Sequence, residues 1–379
     1  MIKKFKPTTP LRLDANSNSM SQAIVFVDSA QKARQSLEPY VNSVVAKFPF
    51  IGAFGALINV HKLSDLMTLP CVKAVAPSTN VFTCIKNTRD FLGVSRVQKS
   101  VGCGKGVGVA VIDTGLCPHI DLLLGKRVIF KDLVNGRSEP YDDNGHGSAV
   151  ASILCGTGIL NRGQNAGIAP VSNLVSIKAI GAKGEGGAFK ILEAMQWIYD
   201  NASRCNIRVL CMSFGSEPAA GTIDPLSVGA EALWKKGIVV VASCGNDGPD
   251  EGTIKSPGIN RHIITVGGVD VRCNGEKCKV CMADFSSRGG NKYKHNKPDL
   301  VAPAVDIMGL GADKKYTALS GTSMAAPIVA GGCALLLSKK PNLQPDKVKE
   351  LLLDNAVQLP FGDSCCGRGL LDLSFVGDM

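Results

Sequence analysis

The chain has 379 residues, 45% of them hydrophobic, enough for one large domain with a buried core and a smaller one beside it. Its 42 glycines are scattered without period and no internal repeat is visible, which excludes collagen-like, low-complexity and solenoid architectures. The formal net charge is +10, but residues 1–100 hold 13 Lys/Arg against 5 Asp/Glu, whereas residues 101–379 hold 29 against 27. The basic excess is therefore N-terminal. With no interleaved aromatics and no DNA-reading motif, it points to a solvated face or an intramolecular contact rather than to nucleic acid.

The N-terminal Met1-Ile-Lys-Lys-Phe-Lys-Pro is charged but is followed by no apolar stretch, so no signal peptide is expected. No run of about 18 apolar residues suggests a membrane span. Both features lead to the expectation of a cytoplasmic protein, in which the 14 cysteines are reduced thiols. Cys155, Cys211 and Cys333 lie inside apolar runs and read as small buried hydrophobes.

Residues 1–20 read as a disordered leader. From there the pattern predicts a strand at 23–27, a polar helix at 31–42, two strands around a turn within 43–60, a helix at 61–69 and a strand at 72–77. The order β-α-β-β-α-β predicts a ferredoxin-like α+β unit over residues 21–83. Residues 78–100 read as a connector without periodicity. Beyond it, short and wholly apolar runs at 106–113, 173–180, 207–213, 237–243 and 262–268 alternate with helical segments at 188–202 and 225–237. Strands apolar on both faces, separated by helices, predict an α/β domain over residues 84–379 with a mostly parallel central sheet covered on both sides. Ligands bind such sheets beyond the carboxyl ends of the strands.

Four residues stand where that rule puts chemistry. Asp113 closes the run VAVID and precedes Thr-Gly. His146, in DDNGHGSAV, is the one histidine of five with glycine on both sides and a helical run behind it. Ser323, in SGTSMAAPIVAGG, falls in the first turn of a strongly apolar helix, where Pro327 is tolerated near the start. A serine there can simply cap the helix. As a nucleophile it would also present its own N–H and the helix dipole to a developing oxyanion. Asn246, in VASCGNDG, can donate its side-chain amide to the same oxygen, an interaction worth about 3–4 kcal/mol in a transition state.

The order Asp, His, Ser is that of subtilisin and differs from that of chymotrypsin and of the α/β-hydrolases. The blocks Asp113-Thr-Gly, Asn144-Gly-His-Gly-Ser, Ser243-Cys-Gly-Asn and Gly321-Thr-Ser-Met-Ala-Ala-Pro resemble the four signature blocks of the subtilisin-like (subtilase) family. Tyr141-Asp-Asp-Asn-Gly-His-Gly-Ser resembles in particular its intracellular AprX-like branch. The resemblance covers about residues 90–379. It implies the family's three-layer sandwich and a serine endopeptidase with Asp113, His146 and Ser323 as triad and Asn246 as oxyanion donor. It also implies that residues 21–83 are an inhibitory propeptide removed by self-cleavage, with the connector entering the cleft like a substrate. Protein or peptide substrates and the chain's own propeptide are the implied partners; nucleic acid and membrane are not. A complete triad argues against a pseudoprotease acting as a binding module, and no cysteine stands at a helix start comparable to that of Ser323.

By the same resemblance, Ser213, Phe214 and Gly215 line one wall of the pocket for the residue before the cut bond, and Ala242 and Ser243 line the other. Lys255 falls near the pocket floor, where the family often has a small residue, and predicts a bias toward acidic side chains; its alternative is a solvent-facing lysine. The absence of any acidic residue from Ala76 to Arg89, where self-cleavage is expected, weighs against that bias. Ser148 stands where threonine is usual, and Cys244, beside Asn246, makes inactivation by mercurials or oxidation an expectation. No cofactor is required for this chemistry. A structural calcium would use Asp121 and carbonyls of the loop 159–167, and zinc at Cys273, Cys278 and Cys281 is less expected than a hairpin with incidental cysteines. The vicinal pair Cys365-Cys366 suggests no function.

Overall fold

The computed structural model describes residues 20–28, 37–48, 53–77, 88–217, 223–274, 277–289 and 296–379. Residues 1–19 of the expected leader, 31–36 of the expected helix at 31–42, 78–87 of the connector and His295 lie outside the described residues. The chain divides into two compact units, Met1–Phe82 and Thr83–Met379.

The first unit is a four-stranded antiparallel sheet of β1 (Met20–Val27), β2 (Val41–Phe48), β3 (Ala53–Asn59) and β4 (Val72–Pro77), in the order β2-β3-β1-β4. A helix at Leu63–Thr68 follows a single 3-10 turn at Val60–Lys62. Alternation drives the assembly. Ala23, Val25 and Val27 of β1 meet Phe54, Ala56 and Ile58 of β3, and Leu66 of the helix packs on the same face. The chain is already extended at Val41, where the helical reading of 31–42 had carried its end.

The second unit is built on a sheet ordered β11-β10-β9-β8-β5-β7-β6, with β12 also pairing to β10. These strands are β5 (Gly108–Asp113), β6 (Val128–Asp132), β7 (Asn173–Lys178), β8 (Ile207–Met212), β9 (Val239–Ser243), β10 (Ile264–Asn274), β11 (Lys277–Met282) and β12 (Leu300–Pro303). All pair in parallel except the β10–β11 hairpin. The sheet is therefore mixed only at its edge. Helices His146–Cys155 and Thr322–Lys339 pack on each other and on the sheet, as do Ala188–Cys205 and Pro225–Lys235. These layers explain why the strands are apolar throughout: every residue of β5 and of β9 is buried. Helix Thr322–Lys339 is long and apolar enough to cross a membrane, but 83% of it is buried, and its contacts with β8, β9 and β10 make it the core helix of this unit.

Strand β5 lies in the middle, and the chain leaves it on both sides, toward β7 and β6 and toward β8 and β9. Such a reversal of strand order opens a crevice at the carboxyl ends. Residues 88–100 hold two short helices, Thr88–Phe91 and Val94–Val101, rather than an aperiodic connector. Leu92, Val94 and Val97 are fully buried, too few apolar positions to register as a period in sequence. The β10–β11 hairpin carries a disulfide between the cross-strand neighbours Cys273 and Cys278. That overturns the expectation of fully reduced thiols, and it removes two of the three sulfurs a zinc site there would need.

Two lysine ammoniums converge on one carboxylate at the amino ends of β10 and β12. Lys297 Nζ contacts Asp299 Oδ2 at 2.5 Å and donates to the Ile263 carbonyl and Thr265 Oγ1 at 2.9 and 2.8 Å. Lys349 Nζ reaches Asp299 Oδ1 at 2.8 Å and the carbonyls of Arg261, His262 and Ile263. The Lys297 side chain is 1% exposed, so its charge depends on that partner. Replacing Asp299 with alanine is expected to cost about 3–5 kcal/mol of stability, read as a drop in the urea midpoint. A loss under 1 kcal/mol would mean that the ammoniums hold no charge in the fold.

Candidate functional site

Asp113 ends the central strand with its side chain 1% exposed. A carboxylate so buried needs donors. Its Oδ1 accepts from the Thr114 N–H at 2.7 Å and pairs with His146 Nδ1 at 2.8 Å. The approach depends on glycine. A Cβ on Gly147 would stand 2.5 Å from the Gly115 carbonyl oxygen and 3.1 Å from Asp113 Cβ, so only a bare backbone lets the His146 helix settle against the Asp113 turn. Gly145, the residue before His146, has φ +102°, a conformation that other residues resist. The Asp113 carboxylate, chiefly, holds the His146 pKa above its ordinary value of 6.5; burial opposes this and Asp142 adds to it.

Asp142, four residues before His146, organises the histidine block. Its Oδ1 accepts from Thr114 Oγ1 at 2.9 Å, Gly145 N–H at 2.8 Å and Asn144 N–H at 3.1 Å. Its Oδ2 accepts from the N–H and hydroxyl of Ser148 at 2.9 and 2.6 Å. Thr114 Oγ1 in turn accepts from the Gly147 N–H at 2.8 Å. These donors hold the Asp142 pKa low against the effect of burial. One carboxylate thus ties the first turn of the His146 helix to the loop after Asp113, and Ser148 serves there as threonine would.

The third element is helix Thr322–Lys339, entered through Gly321 at φ +150°. Ser323, in its first turn, donates from Oγ to the Ser213 carbonyl at 2.8 Å. Asn246, beyond the end of β9, accepts on Oδ1 from the N–H and hydroxyl of Thr322 at 2.9 and 3.0 Å. Thr322 thereby engages the amide oxygen and leaves Nδ2 as the donor of that side chain. His146, Asn246 and Ser323 border one cleft of about 560 Å³, closed on another side by Ala312, Leu319 and Met324. The four side chains singled out in sequence therefore meet at one place, although the Ser323 hydroxyl is bonded to Ser213 and not to the imidazole.

The flanking residues fare less evenly. Ser213, Phe214 and Gly215 leave the carboxyl end of β8, and Ser243 Oγ reaches the Phe214 carbonyl at 3.4 Å, so two walls stand side by side. Ala242 is 0% exposed and paired on both edges of β9, so it supports its wall without facing the cleft. Lys255 is neither an open cation nor a solvated one: its side chain is 14% exposed and pairs with both Glu217 and Asp247. Cys244 is fully buried with its thiol pushed up to about 11 by desolvation, which disfavours the thiolate that mercurials and oxidants attack. Burial likewise raises the thiols of Cys117 and Cys211, leaving no activated thiolate among these neighbours of the site.

The residues proposed for calcium do not fit it. Asp121 is fully buried, and its carboxylate accepts from Thr157 Oγ1, the Ile159 N–H and the Tyr316 hydroxyl at 3.2, 2.8 and 2.9 Å. The Gly163 carbonyl accepts from the Arg89 guanidinium at 2.7 Å, and the Gly167 carbonyl from Gln98. Donors of the chain itself thus occupy the one carboxylate a metal would need and two of the carbonyls beside it. Among the described residues no three His, Cys, Asp or Glu side chains cluster as ligands.

The subtilase family model matches residues 104–369. The chain is 42% identical over 270 residues to serine protease AprX of Bacillus subtilis, spanning 66% of this chain and 61% of that protein. It is 35% identical to subtilisin DY of Bacillus licheniformis over 75% of this chain and 95% of the other. Among solved structures, S41 psychrophilic protease aligns with a TM-score of 0.61 at 28% identity, and sphericase with 0.61 at 26%, each over 73% of this chain and 96% of the other.

Two measurements check this description. NMR titration is expected to show the His146 pKa falling in Asp142→Asn and falling further in Asp113→Asn; an unmoved value in both would disprove the electrostatic coupling. Tyr316→Phe should lose about 1–3 kcal/mol by urea melt, because Asp121 loses a donor, and calcium should not restore it. Rescue by calcium would show that Asp121 accepts a metal after all.

Proposed function

Because this chain belongs to the subtilase family of serine proteases, we propose that it is an endopeptidase that hydrolyses peptide bonds through an acyl-enzyme. One observation carries the reading: the imidazole of His146 is paired through Nδ1 to the buried Asp113 carboxylate at 2.8 Å and shares a cleft with Ser323 and Asn246. With Nδ1 so engaged, Nε2 is the nitrogen left for the nucleophile. The reaction requires Ser323 Oγ to leave the Ser213 carbonyl and reach that nitrogen; such contacts commonly tighten only with substrate present. His146 takes the Ser323 proton as Oγ attacks the carbonyl carbon, then returns it to the leaving amine. Asp113 stabilises the imidazolium in between. Asn246 Nδ2 and the Ser323 N–H stand ready for the oxyanion. Water then attacks the acyl carbon as His146 takes its proton; the bond from Oγ to the acyl carbon breaks, the acid leaves, and His146 returns that proton to Ser323 Oγ.

On this reading the chemistry needs no cofactor, and structural calcium near Asp121 is not part of it. The first unit, with its surplus of basic residues, acts as a propeptide that assists folding and inhibits the second until the connector is cut by the chain itself. Ser213, Phe214, Gly215 and Ser243 form the walls around the residue before the cut bond.

Labelling of the wild-type chain by a fluorophosphonate, abolished in Ser323→Ala, is the first test; labelling that persists in the variant would sink the assignment. Asn246→Ala should lower kcat by about 10²- to 10³-fold. The kcat/KM profile should rise with pH through a midpoint above 6.5, since the neutral imidazole is the base and Asp113 raises its pKa. Mass spectrometry should find the wild-type chain cut between the two units and Ser323→Ala intact. An identical cut in the variant would reject self-processing.

A further inference from the structure

Lys255 enters the fold as the floor between the two walls. Its N–H donates to the Cys244 carbonyl at 2.9 Å, and the next residue, Ser256, exchanges backbone hydrogen bonds with Ser216 at 2.9 and 3.0 Å. The floor is thereby tied to both walls at once. Its side chain then rises between them. A Cβ built on Gly215 would fall 2.5 Å from Lys255 Cβ, and one built on Gly245 would fall 2.6 Å from Lys255 Cγ. The same two methylenes therefore touch a bare glycine on each side, and no gap wide enough for a second side chain remains at that level. At its tip the ammonium pairs with Glu217, which follows one wall, and with Asp247, which follows the other. The ammonium lies in a side chain 14% exposed, whereas Glu217 is 80% and Asp247 55% exposed. The lysine is thus the inner member of a clamp whose two jaws face water.

We propose that Lys255 is a specificity-determining plug: its stem fills the depth of the slot between Gly215 and Gly245, and its ion pairs with Glu217 and Asp247 latch it across the mouth. The inference rests on the endopeptidase reading and refines it. It predicts cleavage after small residues, because a large one must first evict the stem and separate both pairs. It also replaces the acidic preference expected from sequence. One ammonium already faces two carboxylates, so an incoming carboxylate adds a third negative charge instead of meeting a vacant cation. The magnitudes favour bulk over charge as the selecting principle: exposed pairs contribute little each, whereas a missing or surplus methylene in a packed slot changes kcat/KM by about 10- to 200-fold.

The test uses the full chain and four peptide anilides that differ only in having Ala, Leu, Phe or Glu before the cut bond, with active enzyme counted by fluorophosphonate titration. The wild-type chain should cleave after Ala at least about tenfold faster, in kcat/KM, than after Leu or Phe. In Lys255→Gly the Phe-to-Ala ratio should rise by about tenfold or more. Lys255→Ala, which removes the stem beyond Cβ, should raise the ratio in the same direction, and it decides the matter if Lys255→Gly does not fold. Wild-type preference for Phe, or a ratio within about twofold of wild type in the variant that folds, overturns the plug. So does a wild-type preference for Glu over Ala that disappears in Lys255→Gly, which would make the lysine a reader of charge. Absence of labelling together with hydrolysis of no peptide would fell the endopeptidase reading itself, and the plug with it.

Discussion

A carboxylate buried at the end of the central strand sets the terms for the rest of the second unit. Asp113 has almost no contact with water, so an unpaired charge there would be prohibitive. The fold answers with a backbone N–H, an imidazole and the turn that delivers both. Each of these makes its own demand. The imidazole must come from a helix that begins within touching distance of the strand, which requires Gly147. The start of that helix must be held, which Asp142 does with donors from four residues. The packing of helix His146–Cys155 against helix Thr322–Lys339 then carries the arrangement to Ser323.

Much of this was legible in the chain. Wholly apolar strands alternating with helices announced a parallel sheet, and Asp113, His146, Asn246 and Ser323 stood where such sheets place ligands. What escaped notice was relational. Asp142 and Thr322 look like ordinary polar residues of a turn and a helix start, and only their partners show that one anchors the histidine loop and the other orients an amide. Asp121 shows the opposite failure. A carboxylate beside a carbonyl-rich loop invites a cation, but Tyr316 lies almost two hundred positions away in sequence and no local pattern links the two. The helices at 88–101 were missed because they are short and use few apolar residues, below what periodicity can register.

Buried positive charge is a second theme. Lys178, 0% exposed, lies beneath the site, bonded to the carbonyls of Thr114 and Ile180 and paired with Asp143 at 2.7 Å. Lys297, Lys349 and Lys255 are other lysines taken largely out of water, each with at least one carboxylate. Each gathers oxygens from strands or loops that are distant in sequence, as a coordinated metal ion does. A tethered ammonium differs in that it cannot be removed by a chelator or diluted away.

Helix Thr322–Lys339 is also deeply buried, with Met324 through Leu337 forming one continuous inner column. On the endopeptidase reading, the attacking hydroxyl belongs to Ser323, the half-buried tip of that column rather than part of a surface loop. Loosening of the interior would withdraw the hydroxyl from its cleft at the same moment. On that reading, a copy whose interior loosens loses its own activity as its segments become accessible to its neighbours.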